Sequence, residues 1–175
     1  MSIYDELGAR VNEDRLFFVE PPDLPGSILA RKLYISPIIQ GLLSGPWDSV
    51  EWQDRCIELE ADFHRFVTGA MIAVRLPPSK SIEAYIAQLE PPQENVWEIR
   101  SREEEPQIRV FGQFAGKDCF VGLTWRFRFE LNNDKEKWHI AMEECKSEWR
   151  KLFPAYDTLI GVSINDYISK KFYPV

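Results

Sequence analysis

Three runs decide the fold: Val96-Trp97-Glu98-Ile99-Arg100, Ile108-Arg109-Val110-Phe111-Gly112-Gln113-Phe114, and Cys119-Phe120-Val121-Gly122-Leu123-Thr124-Trp125-Arg126-Phe127-Arg128-Phe129. Each is rich in β-branched and aromatic side chains with a period near two, which predicts a strand. The break at Gly116-Lys117 predicts a hairpin turn between the second and third. Pairing Ala115 with Asp118 sets Phe114 opposite Cys119, Val110 opposite Leu123 and Ile108 opposite Trp125. Trp97 and Ile99 join that apolar side. Alternation then sends Glu98, Arg100, Arg109, Phe111, Thr124, Arg126 and Arg128 to the other.

Arginines opposite one another across strands repel, so the polar face needs anions. One source is the protein's own carboxylates, Glu98, Glu130 and the run Glu103-Glu104-Glu105, as on an ordinary solvated sheet face. The other is a ligand phosphate, which guanidinium groups fit well, with Phe111 offering a ring on which a base can stack.

Outward from the strands the period changes to 3.6. Trp52, Cys56, Leu59, Phe63 and Phe66 share one helical stripe, and Asp48 or Ser49 can cap a helix running to about Thr68. Its acidic flanks make it a candidate docking surface, although a core stripe explains the same pattern. Met71 to Leu76 fits a strand or a helix end. A second helix is predicted from Ser79 or Ser81 to Leu89, between Pro77-Pro78 and Pro91-Pro92. After the strands, Asn133 or Asp134 caps a helix to about Phe153 with Trp138, Ala141, Cys145, Trp149 and Leu152 on one side. A short helix from Ile164 to Lys171 closes the chain. Residues 1–48, broken by Pro21-Pro22, Pro25-Gly26, Pro37 and Gly45-Pro46, read as an N-terminal extension of short elements on the 49–175 domain, the whole forming a single globular unit.

The 175 residues are 45% hydrophobic and 13% aromatic, enough for a sizeable core without disulfides. The net charge of −7 lies wholly in residues 1–94, while residues 95–175 are neutral. A protein that coats nucleic acid with its entire surface is excluded; a local basic patch is not. No apolar run reaches the roughly 18 residues of a membrane span, and the N-terminus lacks a signal-peptide pattern, so the expected location is the cytoplasm, away from membranes. Cys56, Cys119 and Cys145 have no paired spacing and read as reduced, buried thiols.

The order helix–helix–strand–strand–strand–helix, with Trp97-Glu98-Ile99-Arg100, Arg109-Val110-Phe111 and Val121-Gly122-Leu123-Thr124-Trp125 in sequence, resembles the HigB-like branch of the RelE/ParE toxin superfamily over about residues 60–153. The family's second motif has an aromatic where Ile108 stands, and its lysine pair is replaced by Arg126-Phe127-Arg128. The resemblance implies a RelE-like α+β core, ribosome-dependent cleavage of mRNA and a cognate antitoxin protein. It makes Arg100 and Arg109 the catalytic candidates, contacting RNA phosphate or stabilising the transition state, and Arg126 and Arg128, beside Phe111, the RNA-binding ones.

Other chemistry is sparse. His64 and His139 have no visible partner, and His139 and Cys145, six apart on one helix, do not converge on a metal. Lys170, Lys171 and Tyr173 could supply an acid or a base, or simply form a solvated tail. The Glu103-Glu104-Glu105 run reads as a solvated hairpin loop, or as an acidic guard over the arginines. No cofactor or metal is expected. The sequence thus predicts an α+β fold, a twisted antiparallel sheet over about 96–130 packed by helices. Two functions are open: a RelE/HigB-like protein acting on RNA, active or degenerate, and a non-catalytic protein-binding module that uses the acidic N-terminal half. Arg109 is the strongest site candidate. Its silent alternative is a cross-strand pair with Glu98 worth about 0.2–1 kcal/mol.

Overall fold

A computed structural model describes residues 1–101 and 105–175. In chain order the elements are α1 (Ile3–Asn12), β1 (Phe17–Phe18), β2 (Lys32–Ile35), α2 (Pro37–Ser44), α3 (Val50–Val67), β3 (Ile72–Arg75), β4 (Ile86–Gln88), β5 (Trp97–Ser101), β6 (Ile108–Gly116), β7 (Cys119–Phe127), α4 (Arg128–Leu131), α5 (Lys135–Leu152), α6 (Ile164–Tyr167) and β8 (Phe172–Pro174). This is an α+β fold. Among the described residues the strands make one eight-stranded sheet in the order β1-β2-β7-β6-β5-β4-β3-β8. Its centre, β4 to β7, is antiparallel. The sheet as a whole is mixed, because β2 runs parallel to β7 and β3 runs parallel to both β4 and β8.

The long helices begin where their caps stand. Ser49 accepts the Trp52 N–H at 3.1 Å, and Asp134 accepts the Glu136 N–H at 3.0 Å. Asp134→Ala is therefore expected to cost about 1 kcal/mol in urea denaturation, and Asp134→Asn much less, since an amide oxygen also caps. Equal losses would show that the cap bond is not what Asp134 contributes.

Residues 79–89 are not helical. Ile82, expected on a shared apolar stripe, is 82% exposed, while Tyr85 and Ile86 are buried. The segment instead bridges two strands, the Tyr85 N–H donating to the Ala73 carbonyl and the Tyr85 carbonyl accepting from the Arg100 N–H. The C-terminal helix is also shorter than expected. It stops at Tyr167, and the chain goes on as β8 beside β3.

The hairpin pairs Gly116 with Cys119 around a two-residue Lys117-Asp118 turn, Asp118 taking φ +58°. This places Val110 opposite Trp125 and Ile108 opposite Phe127, two residues away from the expected register at the open end. The slip comes partly from a bulge: Phe111 pairs with Thr124 but Gly112 with Gly122, leaving Leu123 as the extra residue. Gly112 is required there, since a Cβ would meet the Val121 carbonyl oxygen at 2.2 Å. Leu123 consequently packs on the face opposite Trp97, Ile99, Val110 and Trp125.

Both sheet faces are covered. One carries α2, α3 and α6, with Phe63 and Phe66 of α3 packed into the cluster of Ile35, Trp97, Ile99, Val110 and Phe120. On the other, α1 and α5 cover Val96, Phe111, Val121 and Leu123. The face expected to be solvated and polar is thus mostly a second core, and the charged side chains at its end line a cleft. Residues 1–48 contribute two strands to the sheet, and Leu33, Ile35 and Ile39 are fully buried in the first core. Among the described residues no helix is long and apolar enough to cross a membrane.

Candidate anion-binding cleft

Pairing across the three central strands aligns Arg100, Arg109 and Arg126 in one row, with Glu98, Phe111 and Thr124 in the next. Two arginines share one carboxylate. Glu98 Oε1 accepts from Arg100 Nε at 2.7 Å, and Glu98 Oε2 lies 3.4 Å from Arg109 Nε. Glu98 is fully buried, and Arg100 and Arg109 are 8% and 6% exposed. The cross-strand pair Arg109–Glu98 therefore exists, in an interior where removing one partner costs far more than at the surface. Arg109 also donates to the Gln107 side chain at 3.1 Å and to the Ile108 carbonyl at 3.3 Å.

The other two arginines diverge. Arg126 leaves the row for α5, where it is bonded to Glu144. Arg128 is not on the strand: Glu130 accepts the Phe127 N–H at 2.9 Å and starts α4 at that point. From there Arg128 donates to the Asn132 carbonyl at 2.6 Å and lies over the Trp138 ring. Phe111, expected to stack a base, is fully buried beneath Trp138 at 5.9 Å and presents no ring face to a ligand.

Arg100, Arg109 and Arg128 line a cleft of about 940 Å³ walled by Leu89, Trp138 and Met142. Arg75 and Lys80, which sequence reasoning missed, enter it from β3 and the following loop. Arg75 and Lys80 precede Arg100 by 25 and 20 residues in sequence, and nothing local marks them. Burial pushes the Arg75 guanidinium below its ordinary value, and the charge of Arg100 pushes the same way against Glu98 and Glu90. Lys80 pairs with Glu90 at 2.7 Å, a bond that lowers the Glu90 carboxyl. With Glu83 and Glu98, the lining comprises five cations and three carboxylates. Such a lining attracts an anion.

Of the carboxylates expected to neutralise the arginines, Glu98 does so and Glu130 serves as a cap. Glu103 and Glu104 lie outside the described residues, so the acidic guard does too. Glu105 accepts the Gln107 N–H and lines a hollow on the opposite face. His139 sits in a neighbouring hollow of about 560 Å³ that shares Glu90, Trp138 and Met142 with the cleft. His64 lies on α3, on the far side of the sheet. The carbonyls of Lys170 and Lys171 accept from Arg31, while Tyr173 lines a small cavity with Glu83 and Arg100.

All three cysteines are free and buried, and burial raises each thiol, that of Cys119 to about 12, which disfavours the thiolate. Among the described residues no group of three or more His, Cys, Asp or Glu side chains is placed to hold a metal. No family model, no curated protein and no solved structure matches the chain.

Proposed function

We propose that the chain is an RNA-directed protein whose cleft takes a backbone phosphate. The observation that carries this reading is the pair of nearly buried guanidiniums on a single carboxylate, with Arg75 and Arg128 beside them. Among the described residues the cleft is lined by five cations and three carboxylates, and a phosphate oxygen approaching from the open side suits that balance. The motif order resembling RelE/HigB proteins supports RNA as the bearer of that phosphate. The same resemblance supports an extension to mRNA cleavage on the ribosome under control of an antitoxin. In that reaction Arg100 and Arg109 would carry the charge that develops on phosphorus, and Glu83 and Tyr173, which line a small cavity with Arg100, are the candidates for acid and base.

Arg128 separates binding from folding better than Arg109 does, because it is only half-buried, at the start of α4. Arg128→Ala is expected to weaken association with a single-stranded oligoribonucleotide and to flatten the slope of log affinity against log salt by about 0.7. Thermal melting should stay within a few degrees. Arg109→Ala should abolish the binding as well, with a measurable loss of stability from its buried pair. If the wild-type protein shows no salt-dependent association, or both variants bind as it does, the cleft is not an RNA site.

A further inference from the structure

On the opposite face of β7 from Arg126, Trp125 and Phe127 meet Trp52 of α3, with ring centroids 6.2 and 5.4 Å from Trp52. The three rings floor a hollow of about 1100 Å³ that shares no lining residue with the arginine cleft. Its rim is acidic. Asp48, Glu51, Asp54 and Glu58 stand along the start of α3, and Glu105 faces them. Among the described residues Arg55 is the one cation in the lining, and it is bonded to Glu58.

We propose that this hollow docks a basic amphipathic segment of another protein, with a large apolar side chain on the aromatic floor and lysines or arginines on the rim. An apolar floor alone would accept many partners, and the rim decides among them. Five carboxylates against one arginine repel nucleic acid and acidic peptides. They also disfavour a second copy of this chain, which carries a net charge of −7. A basic segment gains twice, since its cations meet the rim carboxylates while its apolar side chain covers the aromatic floor.

The test uses synthetic peptides on the full-length protein. The first is an amphipathic helix of leucine and lysine; the second has glutamate for lysine; the third has lysine on a glycine–serine background. The leucine–lysine peptide is expected to bind, and to slow amide exchange over residues 48–58 and 125–127. Glu51 and Asp54 are both exposed, so the Glu51→Lys/Asp54→Lys variant should fold normally and bind the peptide roughly tenfold more weakly. Arg128→Ala should bind it as the wild type does. The proposal is overturned if the leucine–lysine peptide fails to bind or protects another surface. It is equally overturned if either control peptide binds as well. Self-association of the wild type that the double variant abolishes would assign the hollow to a second copy, and would overturn it too.

Discussion

Glu98→Ala is expected to destabilise the protein by about 3–5 kcal/mol, because it strips two nearly buried guanidiniums of the carboxylate they share. The side chain is fully buried on β5, which lies between β4 and β6 in the sheet. Glu98→Gln keeps the volume and one acceptor but removes the charge, so it should cost about 1–3 kcal/mol. The difference between the two variants separates electrostatics from packing. Urea denaturation followed by circular dichroism measures both, and an unchanged slope against urea marks the loss as one of stability. The neutral variant should also respond more strongly to added phosphate than the wild type, since an anion that enters the cleft replaces the missing charge and stabilises by mass action. If Glu98→Ala loses less than about 1 kcal/mol, the two arginines do not depend on this carboxylate, and the charge argument for the cleft loses its base.

The contrast between Arg109 and Arg75 shows how far the sequence could be read. Arg100 and Arg109 lie on strands whose alternation is unambiguous, so their common face follows from counting residues. Arg75 and Lys80 reach the same cleft only because β3 lies beside β4 and β4 beside β5, a pairing with no local signature. The same physics explains residues 79–89, where Ile82, Tyr85, Ile86 and Leu89 satisfy a helical spacing but backbone bonds from Ala73 and Arg100 decide. Likewise β2 and β8 are short runs whose partners are far away in sequence, Lys32 with Cys119 and Ile72 with Phe172. Leu123 was legible in part, because Gly112 and Gly122 inside two strands signal a bulge. Phe111 teaches the most. Alternation placed it on the right face, but the five-residue stripe of α5 needed an apolar surface to cover, and α3 already occupied the other side. A helix stripe without an assigned partner was the sign that the polar face was not solvated.

Trp97→Ala is expected to cost about 3–5 kcal/mol, as a full truncation in the core. Trp97 is completely buried on β5, its ring centroid 4.7 Å from Tyr167 and 5.2 Å from Phe114. Tyr167 in turn ties α6 to the sheet, donating from its hydroxyl to the Gly161 carbonyl, while its own carbonyl accepts the Asp118 N–H at 2.8 Å. The loss should therefore spread along the chain, and amide exchange over residues 164–174 should accelerate more than exchange in α5, which packs on the other face. Trp97→Phe is a different case. The indole Nε1 is buried without a hydrogen-bond partner among the described residues, so a phenyl ring removes an unsatisfied donor as well as some volume. The two effects oppose each other, and the net cost should stay below about 1.5 kcal/mol. An alanine variant that loses less than about 1 kcal/mol would invert the two faces of β5. Glu98 would then no longer point at Arg109, and the cleft would lose the residue around which its charges are arranged.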